Sequence, residues 1–162
     1  MRRIPFLLLL LTLFLSGCYN GSKPPHIGAP ALDFTVQDAG HKITLSQFRG
    51  QVVVLNFWAT WCPPCIEEMP SLMQMQQKMK AKGVTVLAVS VDEDENTYQQ
   101  FLKQQNVDLL TVRDAQQKSN ALYGTFKFPE TYIIDRNGIV RRKFIGPVDW
   151  NQPEIVNYLG KL

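Results

Sequence analysis

Apolar runs alternate with longer amphipathic stretches along most of this chain. Residues 52–58 (VVVLNFW) and 84–91 are almost continuously apolar, which predicts strands that are covered on both faces. The amphipathic stretches predict helices over residues 63–82, 97–105, 116–123 and 153–159. Gly83 is expected to end the first helix, and Pro70 inside it is expected to introduce a kink. Strands that alternate with helices predict an α/β domain with a mixed sheet.

Shorter segments complete the predicted sheet. Near the N-terminus, apolar and polar residues alternate over 32–36, and a turn over 38–40 (DAG) leads into 42–44 (KIT), which predicts a β-hairpin. A second antiparallel hairpin is predicted from strands 131–134 and 139–144, joined by an Asn-Gly turn within 135–138. A short strand is predicted over 109–112. The chain is therefore expected to form a central mixed β-sheet flanked by helices, with an N-terminal β-hairpin extension.

The first 17 residues differ from the rest and predict a targeting segment. Arg2 and Arg3 precede an apolar run over residues 4–15, which is shorter than the roughly 20 residues that span a bilayer and is typical of a signal peptide. The sequence LSGC at 15–18 resembles the lipobox of bacterial lipoproteins, in which the cysteine is lipidated and becomes the first residue of the mature chain. We therefore expect a signal peptide over 1–17, a lipidated Cys18 with a tether over 18–26, and one domain over 27–162. An ordinary secretory signal and an uncleaved membrane anchor are the alternatives.

Composition and charge narrow the functional classes. The 162 residues, of which 45% are hydrophobic and 19% charged, are enough for one domain with a sizeable core. Without residues 1–17, which contain two arginines and no acidic residue, the net charge falls from +3 to +1. The remaining chain has no basic stripe interleaved with aromatic residues, so we expect no nucleic-acid partner. A lipid anchor would hold the domain on a bacterial membrane outside the cytoplasm, where disulfides persist.

Two cysteines lie where the first buried strand gives way to the first helix. Cys62 and Cys65 are the only cysteines besides Cys18. Their spacing would close a loop so small that, as a structural crosslink, it would constrain little of the unfolded chain. The Cys-x-x-Cys pattern in this setting instead predicts a redox-active dithiol. No dissociable cofactor is expected, because the dithiol itself carries two electrons.

Position along the helix predicts different roles for the two cysteines. Cys62 should lie at the helix N-terminus, where free N–H groups and the macrodipole favour a thiolate that attacks the substrate. Pro63 and Pro64 suit the first helical positions, where their missing N–H groups would have had no partner. Cys65, one turn further in, is expected to resolve the mixed disulfide. Glu68 lies on the same helix face and is a candidate acid/base for Cys65, with a solvated glutamate as the alternative.

Three segments carry a resemblance to a known family. Residues 56–70 (NFWATWCPPCIEEMP), followed by 128–131 (FPET) and 133–135 (IID), resemble exported thioredoxin-like proteins, in particular membrane-anchored thiol–disulfide oxidoreductases of the ResA/TlpA/CcmG type. The resemblance covers about residues 27–162 and implies a thioredoxin-like fold. It also implies a monomer that reduces cysteine-containing protein substrates, often the haem-site cysteines of apocytochrome c. A membrane-embedded thiol reductant would supply the electrons.

The same resemblance implies further site residues. Pro129 would be a cis-proline that faces the dithiol, the backbone of Phe128 would pair with a substrate peptide, and Trp61 would line the site. Glu68 occupies the place of a glutamate that tunes the cysteines. Cytosolic thioredoxins usually carry a buried aspartate where this chain has Asn56, and asparagine cannot accept a proton. Proton transfer would therefore depend on Glu68 or on water.

Several other chemistries fit the residues less well. A peroxiredoxin would need a threonine three residues before its attacking cysteine, and this chain has its threonine two residues before Cys62. A c-type haem site would need histidine in place of Ile66. No metal is expected, because structural zinc would have to recruit His26 and His41 from the tether and a hairpin turn. The acidic run 92–95 (DEDE) lacks the following glycine and glutamate of an EF-hand loop and predicts a solvated loop.

Two functional alternatives stay open. One is a Cu(I)-binding or delivery protein, because thiolates and methionine thioethers are ligands that suit Cu(I). Methionines on a helix more often pack in the core. The first predicted helix contains Met69, Met73, Met75 and Met79. The other alternative is a thiol-dependent binding module that retains its clients without turnover. An oxidoreductase would be distinguished by cycling between dithiol and disulfide.

Overall fold

The computed structural model describes residues 23–162; the predicted signal peptide, Cys18 and the first part of the tether lie outside the described residues. Within that range no helix combines the length and the apolar character needed to cross a bilayer. The elements, in chain order, are β1 (Thr35–Gln37), β2 (Lys42–Thr44), β3 (Val52–Trp58), α1 (Pro63–Met79), β4 (Val84–Ser90), α2 (Glu95–Gln104), β5 (Leu110–Arg113), α3 (Lys118–Leu122), β6 (Glu130–Ile134), β7 (Val140–Ile145) and α4 (Pro153–Leu159).

Five strands form the central sheet in the order β5-β4-β3-β6-β7. Strand β4 runs parallel to β3 and β5, whereas β6 runs antiparallel to β3 and β7. One hydrophobic core contains residues of α1, α2 and α4, and the second lies between the sheet and the β1–β2 hairpin. The predicted mixed sheet, its flanking helices and the N-terminal hairpin are confirmed.

Strand β3 lies in the middle of the sheet and is buried on both faces. Successive side chains of a strand point to opposite faces, so its residues divide between the two cores. The core on the α1 face receives Val52, Val54 and Trp58. The core on the hairpin face receives Val53, Leu55 and Phe57. This double burial explains why the strand is a continuous apolar run interrupted only by Asn56.

Helix α1 begins at the predicted residue and ends slightly earlier than predicted. Its α-helical part stops at Met79, and residues 80–82 form a 3-10 turn. Gly83 then adopts a left-handed backbone with φ of 76°, a conformation that glycine tolerates without a Cβ clash. The helix runs through Pro70, which has no N–H to donate to the preceding turn.

A side-chain cap in one case and a left-handed residue in the other move the starts of two later helices away from their predicted positions. Helix α2 begins at Glu95 because the Asp94 carboxylate accepts the N–H of Thr97 at 2.7 Å. Helix α3 is shorter than predicted because Gln117 has a left-handed backbone with φ of 53°. The capping hydrogen bond of Asp94 and the backbone angle of Gln117 are not visible in the pattern of apolar residues.

The segment before the hairpin runs along the sheet edge. Gly28 N–H donates to the Val140 carbonyl at 2.8 Å, and Val140 N–H donates to the Ala29 carbonyl at 2.9 Å. Further towards the N-terminus the Pro24 ring lies against Gly124, where a Cβ would come within 2.7 Å of Pro24 Cγ. The chain therefore enters the domain beside the loop that precedes β6.

Candidate active site

The two cysteines lie at the start of α1, directly after the buried strand β3. Cys62 caps the helix, and prolines occupy the first two helical positions. Cys65 N–H donates to the Cys62 carbonyl at 3.0 Å, and the two sulfurs form a disulfide with the Cα atoms 5.3 Å apart. Cys62 is 5% exposed and Cys65 is fully buried. The predicted placement of the pair is confirmed, with Cys62 the more accessible sulfur.

A buried carboxylate holds the loop that leads into Cys62. Asp92 accepts the Thr60 N–H at 3.0 Å and the Thr60 hydroxyl at 2.6 Å, and the Ser90 hydroxyl donates to it at 2.6 Å. Only 2% of Asp92 is exposed, so the prediction of a solvated loop over 92–95 is wrong for its first residue. The sequence places Asp92 in an acidic run and contains no signal of its contact with Thr60.

Replacing Asp92 with Asn should lower the free energy of unfolding by about 1–3 kcal/mol, because the amide NH₂ cannot accept all the buried donors that surround the carboxylate. Glu93→Gln is the matched control, since Glu93 is the exposed neighbour and its substitution should change stability by less than about 0.5 kcal/mol. Urea unfolding of the oxidised proteins measures both effects. Equal midpoints for the two variants would contradict a structural role for Asp92.

Glu68 lies in the second turn of α1 and is only 4% exposed. Asn56 Nδ2 donates to Glu68 Oε1 at 2.7 Å, while Val148 N–H and Trp150 Nε1–H donate to Oε2 at 3.0 and 3.4 Å. Burial raises the pKa of Glu68 to about 6, against the opposing effect of these three hydrogen bonds. Glu68 is therefore not the solvated glutamate that the alternative interpretation described.

Val148 and Trp150 are residues of this site that the sequence reasoning missed. They follow β7, and α1 meets them only because the sheet order brings the C-terminal loop beside it. Ser71 strengthens this junction, since its hydroxyl accepts the Trp150 N–H at 3.2 Å. An open groove of about 400 Å³ runs along the junction and is lined by Glu68, so solvent can reach the neighbourhood of the carboxylate.

Strand pairing brings a second loop to the dithiol end of the sheet. Phe57 near the end of β3 pairs with Glu130 at the start of β6, so Pro129 lies where β3 ends. The Phe128–Pro129 peptide bond is cis, as the family resemblance implied. The Phe128 ring meets Trp61 edge to face, with 6.1 Å between the ring centroids. Trp61 is 63% exposed and offers apolar surface directly before Cys62.

Residues 27–143 match the model of the AhpC/TSA family. The chain belongs to the AhpC/TSA family. Its curated relatives include the thiol-disulfide oxidoreductase ResA of Bacillus cereus, which is 35% identical over 90% of this chain and 84% of the relative. The thiol:disulfide interchange protein DsbE of Pseudomonas aeruginosa is 33% identical over 89% of this chain and 81% of the relative.

A solved structure of a related protein also resembles this AhpC/TSA family member. The Chlorobium tepidum protein assigned as a thiol:disulfide interchange protein DsbE matches with a TM-score of 0.74 and 34% identity. The match covers 85% of this chain and 94% of that protein. The thioredoxin-like fold and the resemblance to membrane-anchored-type thiol–disulfide oxidoreductases such as ResA are thus confirmed. The protein is a thiol–disulfide oxidoreductase that contains a Cys62–Cys65 disulfide.

The residue after Pro129 anchors the loop through a buried charge cluster. Glu130 is 3% exposed, and Lys143 Nζ lies 2.8 Å from its Oε1. The hydroxyls of Tyr132 and Thr125 donate to the same oxygen at 2.6 and 2.7 Å. The contacts of this carboxylate therefore tie β6 to β7 and to the preceding loop.

Lys143→Met should lower the free energy of unfolding by about 1–3 kcal/mol, because it leaves the Glu130 carboxylate buried with hydroxyl partners alone. The comparison variant is Arg142→Met, in which the lost ion pair with Glu154 is a more exposed one. That change should cost less than about 1 kcal/mol. Denaturant titration separates the two, and a smaller loss for Lys143→Met than for Arg142→Met would refute the proposed importance of the cluster.

The methionines on α1 pack in the core. Met69, Met75 and Met79 are at most 3% exposed, and Met73 Sδ accepts the Asp108 N–H at 3.4 Å. The interpretation of these residues as core filler is confirmed. Among residues 23–162, no three His, Cys, Asp or Glu side chains gather closely enough to hold a metal ion.

Proposed function

We propose that this protein is a lipid-anchored oxidoreductase that works outside the bacterial cytoplasm and reduces disulfides in protein substrates, such as those formed by haem-site cysteines of apocytochrome c. The observation that carries the proposal is the Cys62–Cys65 pair at the start of α1, with the more accessible sulfur at the helix N-terminus. The names of the ResA and DsbE relatives support exchange with disulfides. The LSGC sequence before Tyr19 supports the anchor.

The proposed reaction has two exchange steps. The Cys62 thiolate attacks one sulfur of the substrate disulfide, which forms a mixed disulfide and releases the other substrate sulfur as a thiolate that takes up a proton. Cys65 then loses its proton and attacks Cys62 Sγ. The second substrate thiolate leaves, and the Cys62–Cys65 disulfide remains. Two electrons have passed to the substrate, and a membrane-embedded thiol reductant restores the dithiol.

Glu68 is assigned the proton transfer that accompanies the second step. Its carboxylate is ionised above a pKa of about 6 and can accept the Cys65 proton, directly or through a water molecule. Asn56 occupies the neighbouring position on β3 and donates to Glu68, so it orients the acid without accepting a proton. We therefore assign Glu68 as the acid/base and Asn56 as a positioning residue.

The substrate platform is assigned to Trp61, Phe128 and Pro129. Trp61 and Phe128 form one aromatic surface beside Cys62, and the cis Phe128–Pro129 bond is at the same end of the sheet. An extended substrate segment could pair with the Phe128 backbone while its cysteine reaches Cys62. This arrangement favours cysteine-containing polypeptides over small thiols as substrates.

A Cys65→Ala variant tests the proposal in cells, because it should arrest the reaction at the mixed disulfide. The expected result is a covalent complex between Cys62 and an exported protein, with a haem-site apocytochrome as the expected partner. The double variant Cys62→Ala/Cys65→Ala is the control and should trap nothing. If no protein is trapped and the wild type binds Cu(I) tightly, the redox assignment is refuted and copper delivery takes its place. Membrane fractionation of Cys18→Ala, which should release the protein, tests the anchor separately.

A further inference from the structure

The point at which the chain enters the domain determines which part of the domain a membrane anchor would hold near the bilayer. Pro24 lies against Gly124, so the described chain enters beside the loop that leads to Phe128 and Pro129. Cys18 is only five residues before Lys23, and five fully extended residues span at most about 17 Å. A lipid on Cys18 would therefore hold this particular end of the domain close to the bilayer surface.

Two exposed apolar side chains lie at this point of entry. Ile27 is 61% exposed and Phe126 is 76% exposed, and they are among the most exposed large apolar side chains of residues 23–162. Ile27 is three residues from Pro24, and Phe126 is two residues from Gly124. Since consecutive Cα atoms are about 3.8 Å apart, each lies within about 12 Å of the Pro24–Gly124 contact. We call these two side chains, together with the exposed Lys23 and Lys127, the entry patch.

The charge of the entry patch is positive. Lys23 and Lys127 are both exposed; Lys23 is four residues before Ile27, and Lys127 directly follows Phe126. Residues 23–28 and 124–128 contain no acidic residue. Apolar side chains that enter the headgroup region, combined with lysines that meet anionic headgroups, strengthen the hold of a single lipid anchor on a membrane.

We propose that the entry patch docks on the anionic surface of the membrane that carries the lipid anchor. The occupant is thus the bilayer surface, with Ile27 and Phe126 in the headgroup region and Lys23 and Lys127 against lipid phosphates. The proposal rests on the lipid anchor of the proposed function and adds an orientation to it. A lipid chain alone would hold this end near the bilayer without fixing which face of the domain meets the membrane.

Docking through Phe126 and Lys127 brings the loop that contains Phe128 near the membrane. Phe126 is two residues before Phe128, whose ring contacts Trp61, the residue before Cys62. The dithiol would then lie at the rim of the docked face. In that orientation a membrane-embedded thiol reductant can reach Cys62 without release of the domain from the surface.

Tryptophan fluorescence of the full lipidated chain in vesicles tests the proposal. Phe126→Trp is reconstituted in vesicles of phosphatidylethanolamine and phosphatidylglycerol that contain lipids brominated near the headgroup end of the acyl chain. Bromine quenches a tryptophan that enters this region, so the fluorescence that the substitution adds over the unsubstituted protein should fall by about half or more. Gln104→Trp, at the exposed end of α2, is the matched control and should keep its added fluorescence.

A second change tests the charge contribution. Adding Lys127→Glu to Phe126→Trp should shift the docking equilibrium at least about fivefold towards the free domain, as should replacement of phosphatidylglycerol by phosphatidylcholine. The decisive preparation carries lipid on Cys18 and still cycles its dithiol. If quenching in that preparation is equal at positions 126 and 104, the docking alone is overturned. Absence of lipid on Cys18 would overturn the anchor and the docking together, while dithiol cycling in the same preparation reports on the redox assignment independently.

Discussion

A Cys62→Ala variant should lose disulfide reductase activity by a factor of roughly 1,000 or more, because no other described sulfur is placed to attack a substrate. Cys65 is fully buried, whereas Cys62 is 5% exposed and directly follows Trp61, whose ring meets that of Phe128. Reduction of insulin with a low concentration of dithiothreitol measures the loss. The substitution replaces a nearly buried thiol by a smaller apolar side chain, so the fold should be retained.

Cys65→Ala provides the contrast that identifies the order of attack. This variant should also lose turnover, yet it should form one equivalent of mixed disulfide with the substrate, because Cys62 is still present. Mass spectrometry after a single exposure to oxidised substrate detects the adduct. If Cys62→Ala forms the stable adduct and Cys65→Ala does not, the assigned roles are reversed.

Glu68→Gln should slow the reaction by about 100-fold near pH 7, since it removes the group that accepts the Cys65 proton. In the wild type the rate of the second exchange step should rise with pH through the pKa of about 6, where Glu68 becomes ionised. Glu68→Gln should lack this rise. Stopped-flow measurement of mixed-disulfide resolution over this pH range resolves the step, with Glu67→Gln as the exposed neighbouring control that keeps the wild-type profile.

The same substitution has a separate signature in stability. The pKa of Glu68 is raised from 4.5 to about 6 by burial, so folding favours the protonated form. This contribution is fully present below pH 4.5 and is lost as the pH rises through 6. The oxidised wild type should therefore lose about 2 kcal/mol relative to Glu68→Gln over that interval. A constant difference between the two proteins would mean that Glu68 has an ordinary pKa.

The structure offers a way for glutamine to fit at position 68. Asn56 Oδ1 is buried and has no hydrogen-bond partner among residues 23–162, while Asn56 Nδ2 donates to both Glu68 and the Thr131 hydroxyl. If the Asn56 amide turns over, its oxygen can accept from the Gln side chain and from Thr131. The variant should consequently remain folded, and its kinetic defect can be attributed to the lost carboxylate.

The strands and the cysteine site could be predicted because their signals are local. Residues 52–58 are apolar throughout since both faces of β3 are covered, and the observed strand has those bounds. The first helix begins directly after Cys62 because two prolines there suit only its first turn. Helix starts at Glu95 and Lys118 depended on single side chains and backbone angles, which the periodic pattern does not contain.

The surroundings of the cysteines could not be predicted from local signals. Asp92 reaches Thr60 from the end of β4, and Trp150 reaches Glu68 from beyond β7. Both contacts join residues that are distant in sequence, and they exist only once the strand order is set. The sequence identifies Glu68 as a helical carboxylate near a cysteine, but its raised pKa arises from burial, which the local sequence pattern does not reveal.

The cysteines lie outside strand β3, which is the central strand of the fold. It has a neighbouring strand on each side and a core on each face, whereas the cysteines follow its end in a short loop and a first helical turn. We expect the domain to exchange its disulfide many times without disturbing the hydrogen bonds of that strand. Substitutions in β3 should thus change how much folded protein a cell accumulates, and substitutions over residues 60–62 should change how fast each folded molecule works.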